Sequence, residues 1–180
     1  MFDKKTHPNT QTMLDAWRRM ATSPSEMATG PQANQYPELL TRLFVLQRTQ
    51  AGHWDFRSCG EDLPGLLGRD LAEYSFTNLW TKADKAMIAA TLDAIFDGDA
   101  PGLLRARGET ITGKQVLLEI PLAPISTPKG RTARILGLYQ TLGGEPMLGG
   151  RAIRKHTLTA LFPPNIRTED THIRLVASND

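Results

Sequence analysis

Residues 53–80 read HWDFRSCGEDLPGLLGRDLAEYSFTNLW, and they decide what kind of sheet and helix arrangement the chain can build. From His53 to Ser58 the side chains alternate. Trp54, Phe56 and Ser58 share one face and His53, Asp55 and Arg57 the other, which is the period of a half-buried strand. Cys59-Gly60 breaks that strand, Asp62 is placed to cap a helical turn over Pro64–Leu67, and Gly68 is placed to end it in a left-handed conformation. A turn this short is not stable alone. Leu66, Leu67 and Leu71, followed by Tyr74, Phe76, Leu79 and Trp80, are therefore expected to lie over an apolar surface, most simply the sheet that begins with Trp54 and Phe56.

Downstream of Trp80 the spacing predicts an amphipathic helix. Thr81 is its cap, Asp84 lies in its first turn, and Ile88, Thr91, Leu92, Ile95 and Phe96 form one stripe before Asp97-Gly98-Asp99 ends it. Three strands are expected next, over Gly102–Glu109, Lys114–Leu122 and Ala133–Leu142. In the middle one Val116, Leu118, Ile120 and Leu122 face one way, with Gln115 and Glu119 on the other side. The last has apolar residues on both faces, which predicts a central strand with Ile135 and Tyr139 toward the helices and Leu136 and Leu138 toward a further layer such as an N-terminal helix.

Upstream, Leu43–Leu46 reads as a buried strand, the first of a hairpin that turns near Ala51-Gly52, preceded by a short helix from Pro37 to about Arg42. Asn9 or Thr10 is placed to cap a helix running to about Met20, with Met13, Leu14, Trp17 and Met20 at helical spacing. Residues 21–35 read as a linker. Beyond Gly143-Gly144 the pattern weakens into an extension, with Thr157–Phe162 expected as a docking turn and His172–Val176 as a strand. The organisation expected is residues 1–35 as helix and linker, 36–142 as the domain and 143–180 as a C-terminal extension.

Composition narrows the function classes. A chain of 180 residues with 40% hydrophobic content holds one well-filled core. Its net charge of +2 comes from basic residues interspersed with acids rather than gathered in a stripe, which argues against nucleic acid as a partner. Cys59 is the single cysteine, so no internal disulfide forms, and with no apolar run of membrane-spanning length and no apolar signal core at the N-terminus the cytoplasm is the expected compartment.

The order of two strands, short helices, one longer helix and three antiparallel strands is that of a PAS domain. The chain resembles the alphaproteobacterial PAS-like family first catalogued as a domain of unknown function, and the residues that carry the resemblance are Trp17-Arg18, Pro37, Phe56-Arg57-Ser58-Cys59-Gly60, Leu67-Gly68-Arg69-Asp70-Leu71 and Leu79-Trp80. Gly113 with Leu118-Glu119 and Pro121-Leu122, and Arg134-Ile135-Leu136-Gly137, fit its closing hairpin. The likeness spans about residues 10–142. It implies an α+β fold with a PAS-like five-stranded antiparallel sheet, short helices and one longer helix on one face, an N-terminal helix and a C-terminal extension. By fold analogy it implies a stand-alone sensory or regulatory module without catalysis, which binds a small molecule, a protein partner or a second copy of itself.

Candidate residues follow from the aromatic content of that frame. Trp54, Phe56, Tyr74, Phe76, Trp80 and Tyr139 are placed to line a ligand cavity between helices and sheet, or to fill it. Met13, Leu14 and Trp17 are placed to meet a partner or a second copy, or to fold back on the sheet. Arg69 beside Gly68 is expected to satisfy nearby carbonyls, and Arg57, on the strand face of Asp55, to make a surface or inter-layer ion pair. Cys59 lacks the surroundings of a flavin-adduct cysteine and reads as a plain thiol. His7, His53, His156 and His172 show no metal-ligand spacing, and a haem would have to use His53. The sequence names no cofactor. No nucleophile elbow, phosphate loop or zincin pair is present, so the enzymatic alternative is a small α+β isomerase or hydratase using Asp55 and Tyr139 in one pocket.

Overall fold

The computed structural model describes residues 6–22, 37–125 and 133–164. Its helices are α1 (Pro8–Thr22), α2 (Pro37–Leu40), α3 (Asp62–Leu67) and α4 (Lys85–Asp97), and its strands are β1 (Leu43–Arg48), β2 (Trp54–Cys59), β3 (Gly102–Thr110), β4 (Gln115–Ile125), β5 (Arg134–Leu138), β6 (Gln140–Thr141) and β7 (Ile153–Phe162). The strands pair antiparallel in the order β2-β1-β5-β4-β3-β7, with β6 beside β4. The fold is α+β. The expected closing strand is present as β5 and β6, which pair with β4 in one register on either side of Tyr139, whose N–H bonds the Arg42 carbonyl opposite it at 3.0 Å.

β7 is the addition to the expected sheet. Residues 157–162 are not a docking turn but half of a ten-residue strand that pairs with the free edge of β3. Arg154 and Thr159 are extra residues relative to β3, and such bulges break the two-residue alternation by which a strand is recognised in sequence. The same effect acts in β2, where Arg57 is extra relative to β1. Ser58 is consequently exposed instead of sharing the buried face of Trp54 and Phe56. Arg57 is also exposed, and no ion pair joins it to Asp55. The linker from residue 23 to 35, the loop at Ser126–Gly130 and the expected strand at His172–Val176 lie outside the described residues.

Helix boundaries follow local chemistry. Glu61 rather than Asp62 holds the N-cap position of α3, and the Asp62 carboxylate instead accepts the Thr41 hydroxyl at 2.8 Å. Gly68 ends α3 at φ 60°, and the N–H groups of Gly68 and Arg69 bond back to the Gly65 and Pro64 carbonyls at 3.2 and 3.1 Å, a C-terminal cap that favours glycine. α4 begins after a turn in which the Thr81 hydroxyl donates to Asp84 at 2.6 Å. Its stripe of Ile88, Leu92 and Ile95 is fully buried.

The sheet carries a large core under α3, α4 and the turn Phe76–Leu79, and a small cluster under α1. Ile135 and Tyr139 belong to the first, and Leu138 with partly buried Leu136 to the second, the division the sequence predicts. Each fully buried large apolar side chain contributes roughly 1.5 to 3 kcal/mol, so the stability of the molecule resides mainly on the α4 side. On the α1 side, Glu119 is completely buried. Its carboxylate accepts the His7 N–H at 2.9 Å and is paired with Arg105 at 3.1 Å, the pairing a buried charge requires. The structure thus spends a charge on anchoring the start of α1.

Gly137 on β5 sets how closely the hairpin and the central strand approach. A Cβ there would lie 2.2 Å from the Phe44 ring. Gly137→Ala is expected to displace Phe44 and lower unfolding free energy by about 1 to 3 kcal/mol, as overpacking does; urea denaturation of the two proteins measures this, and an unchanged midpoint would show that the ring is free to move.

Candidate functional site

Five of the six aromatic candidates come together. Trp54, Phe56, Phe76, Trp80 and Tyr139 are all buried members of the main core. Phe44 joins them, with ring centroids 5.4 Å from Phe56 and 5.6 Å from Phe76, and Phe76 continues to Trp80 at 5.9 Å. His156 then bridges Trp80 at 5.6 Å and Tyr139 at 5.7 Å. These are the separations of packed rings, so the aromatic side chains fill the space between helices and sheet. Tyr74 stands apart. It is half-buried, with the Arg69 guanidinium stacked over its ring at 4.9 Å and donating to its hydroxyl. Arg69 also reaches the Leu67 carbonyl at 3.4 Å, the structural use expected for it.

His156 and Phe44 are the members that sequence reasoning did not place here. The His156 ring is buried, with Nδ1 3.0 Å from the Leu79 carbonyl and Nε2 2.6 Å from the Tyr139 hydroxyl. A carbonyl only accepts, so Nδ1 carries the proton and Nε2 accepts from Tyr139. Burial, opposed by the bond to Leu79, holds the imidazole pKa down to about 4. Burial likewise pushes the Tyr139 phenol well above its ordinary value. Both groups are neutral across the physiological range, and the pair acts as a polar pin linking β7, the turn before α4 and the β5–β6 junction.

Trp54 donates its indole N–H to Asp93 at 3.0 Å. The Trp80 indole N–H, by contrast, is buried without a partner among the described residues. Asp55 alternates away from Trp54 and Phe56 and does not share the interior with Tyr139, so the two do not converge in a catalytic pocket. His53 is exposed at the head of β2, away from the interior where a haem would sit. Cys59 is half-buried at its other end, and burial, reinforced by Asp70, pushes its thiol pKa up, the reverse of an activated cysteine. No group of three metal-ligating side chains occurs among the described residues.

The residues assigned to partner contact are turned inward. Met13 and Leu14 are 2% exposed, packed with Leu39, Ala123 and Leu138, and the half-buried Trp17 donates its indole N–H to the Pro124 carbonyl at 2.6 Å. Met20, expected on the same stripe, is exposed, because the helix outruns the sheet beneath it. A partner reaches Met13 and Leu14 only when α1 leaves the sheet.

The profile of a protein family described as PAS domain matches residues 5–140 of the chain. Among solved structures, the crystal structure of the Rhodobacter sphaeroides LOV protein superposes with a TM-score of 0.48 at 10% identity, covering 77% of this chain and 71% of that one. No curated protein is matched. Among the described residues no helix is long and apolar enough to cross a membrane.

The buried imidazole gives stability a defined pH dependence. With its pKa lowered from 6.5 to about 4 in the fold, the unfolded chain binds the proton first. Stability is therefore complete above 6.5 and is lost as pH falls toward 4, by on the order of 3 kcal/mol. Glu145, held below the usual carboxylate range by its hydrogen bonds from Arg42, adds a loss in the same direction at more acid pH. Chemical denaturation from pH 8 to pH 4 is expected to show this slope, and His156→Phe is expected to flatten its upper part while lowering stability at neutral pH.

Proposed function

Because the chain belongs to the PAS domain family, whose members are typically sensory or signalling modules, we propose that it is a non-catalytic regulatory module that acts by contact with a protein partner or a second copy of itself. The observation that carries this reading is the unbroken packing of Phe44, Phe56, Phe76, Trp80, His156 and Tyr139. An interior occupied by its own side chains turns recognition outward. α1 is the element we assign to that recognition. Its contact residues Met13, Leu14 and Trp17 pack in a cluster separate from the main core, so α1 leaves the sheet without opening that core. A partner offering apolar anchors then meets either α1 or the sheet face of Leu136 and Leu138 that α1 covers.

A second reading rests on the Trp80 indole. Its buried, unpartnered N–H is a donor whose desolvation is uncompensated, and a small molecule with a hydrogen-bond acceptor, lodged among Trp54, Phe56, Phe76, Trp80 and Tyr139 after Trp80 rotates, would satisfy it. Tyr74 would stand at the edge of such a site. Native mass spectrometry of the freshly purified protein separates the two readings: retained small-molecule mass favours the interior site, and its absence with a dimer mass favours contact.

The contact reading makes a specific prediction for the full chain. Leu14→Glu places a carboxylate at a fully covered position and is expected to free α1, speed amide exchange in residues 8–22 and raise the sedimenting mass as bared sheet faces associate. Faster exchange with unchanged mass, and no change in binding to any partner, would remove α1 from the mechanism.

A further inference from the structure

Outside the aromatic interior, a cleft of about 810 Å³ lies between α3 and the turn Glu145–Leu148, within the size range of small-molecule sites. At its floor Arg42 grips Glu145 with two hydrogen bonds of 2.7 and 2.9 Å and lies 3.5 Å from Asp62. One guanidinium is thus shared by two carboxylates. The cleft's two other ionisable groups, Glu61 and Arg151, are exposed, and among the described residues neither side chain has a hydrogen-bond or ion-pair partner. One unpaired carboxylate and one unpaired guanidinium thus line a single cleft, with Leu66, Pro146 and Leu148 as its apolar wall.

A second observation is independent of charge. Gly65 lies within α3 and lines the same cleft, yet a Cβ built on it would meet nothing within 4 Å, and its φ is not in the left-handed region. Glycine weakens a helix relative to alanine, and neither conformation nor crowding within this chain calls for it here. A glycine at such a place leaves the backbone open to close approach by another molecule.

We propose that this cleft binds a small zwitterion of the amino-acid class, free or as a short peptide, with its ammonium group at Glu61, its carboxylate at Arg151 and its apolar side chain against Leu66 and Leu148, over the bare backbone of Gly65. A single-charge ligand would leave either Glu61 or Arg151 facing a like or empty neighbour, whereas a zwitterion meets both. The site uses neither the aromatic rings of the interior nor Met13, Leu14 and Trp17 of α1, and it goes beyond the contact reading, which stands or falls on other residues.

The test uses the full chain and three probes, L-leucine, the tripeptide Leu-Gly-Gly and N-acetyl-leucinamide, which keeps the apolar side chain without either charge. Saturation-transfer NMR and calorimetry are expected to show saturable binding of a zwitterion at millimolar concentration or below and none of the capped compound; leucine against the tripeptide tells free amino acid from peptide. Glu61→Gln and Arg151→Met are each expected to weaken binding about tenfold. Gly65→Ala is expected to abolish it while the melting temperature stays level or rises, which a folding defect would not produce. No zwitterion binding at millimolar concentration, equal binding of the capped compound, or undiminished binding in Gly65→Ala or in both charge variants overturns the site.

Discussion

The hydrogen-bonded run from the Leu79 carbonyl through the His156 imidazole to the Tyr139 hydroxyl is the constraint from which the rest of the structure follows. It lies inside an otherwise apolar core, where an unpaired ring nitrogen costs about 1 to 3 kcal/mol. Satisfying both nitrogens at once fixes the distance between β7, the turn before α4 and the end of β5. Around that fixed point the helices have little freedom. The Thr81 N–H bonds the His156 carbonyl at 2.9 Å and the Asp84 carboxylate accepts the Leu158 N–H at 3.0 Å, so the same strand that carries the imidazole also holds the start of α4.

The two faces of the sheet are stabilised by different physics. Under α4 the contacts are almost entirely apolar and aromatic, and the pH dependence of that face is carried by the one buried imidazole, His156. Under α1 a few apolar contacts share the surface with a buried ion pair, the link from His7 to Glu119 and a side-chain bond from Asn9 to Gln140 at 2.9 Å. An ion pair taken out of water contributes little net stability, since desolvation offsets attraction. The face under α1 is therefore specific in its register but modest in its strength.

Much of this was legible from periodicity. The stripe Ile88, Leu92 and Ile95, the alternation through Val116, Leu118, Ile120 and Leu122, and the opposed faces of Ile135 and Leu136 each reported a single physical demand, burial on one side. Turn chemistry placed the hairpin and the Gly68 cap, the apolar run after Gly68 placed the aromatic residues over the sheet, and the resemblance to the PAS family set these pieces in one frame. What was illegible involves interruptions and long-range pairs. The bulges at Arg57, Arg154 and Thr159 reset the alternation mid-strand, so Ser58 was assigned to the wrong face and β7 passed for a turn. Phe44 was assigned to its strand but not to the aromatic cluster. His156 carried no signal of its own, because its partners lie 77 and 17 residues away. A reading that allowed one bulge in residues 153–162 would have found Ile153 and His156 on a common buried face.

β7 also changes how the molecule presents itself to other chains in the cell. Without it β3 would end the sheet as a nine-residue strand with open hydrogen-bonding groups, the kind of surface on which unrelated strands assemble into fibrils. β7 occupies that border, and two of its own outer groups, the His156 carbonyl and the Leu158 N–H, are claimed in turn by Thr81 and Asp84, while the Arg154 side chain reaches the Gly68 carbonyl at 2.8 Å. At the opposite border, Phe56 on β2 exchanges backbone hydrogen bonds with Glu73 and Tyr74. A sheet finished at both margins in this way resists templated aggregation at high expression.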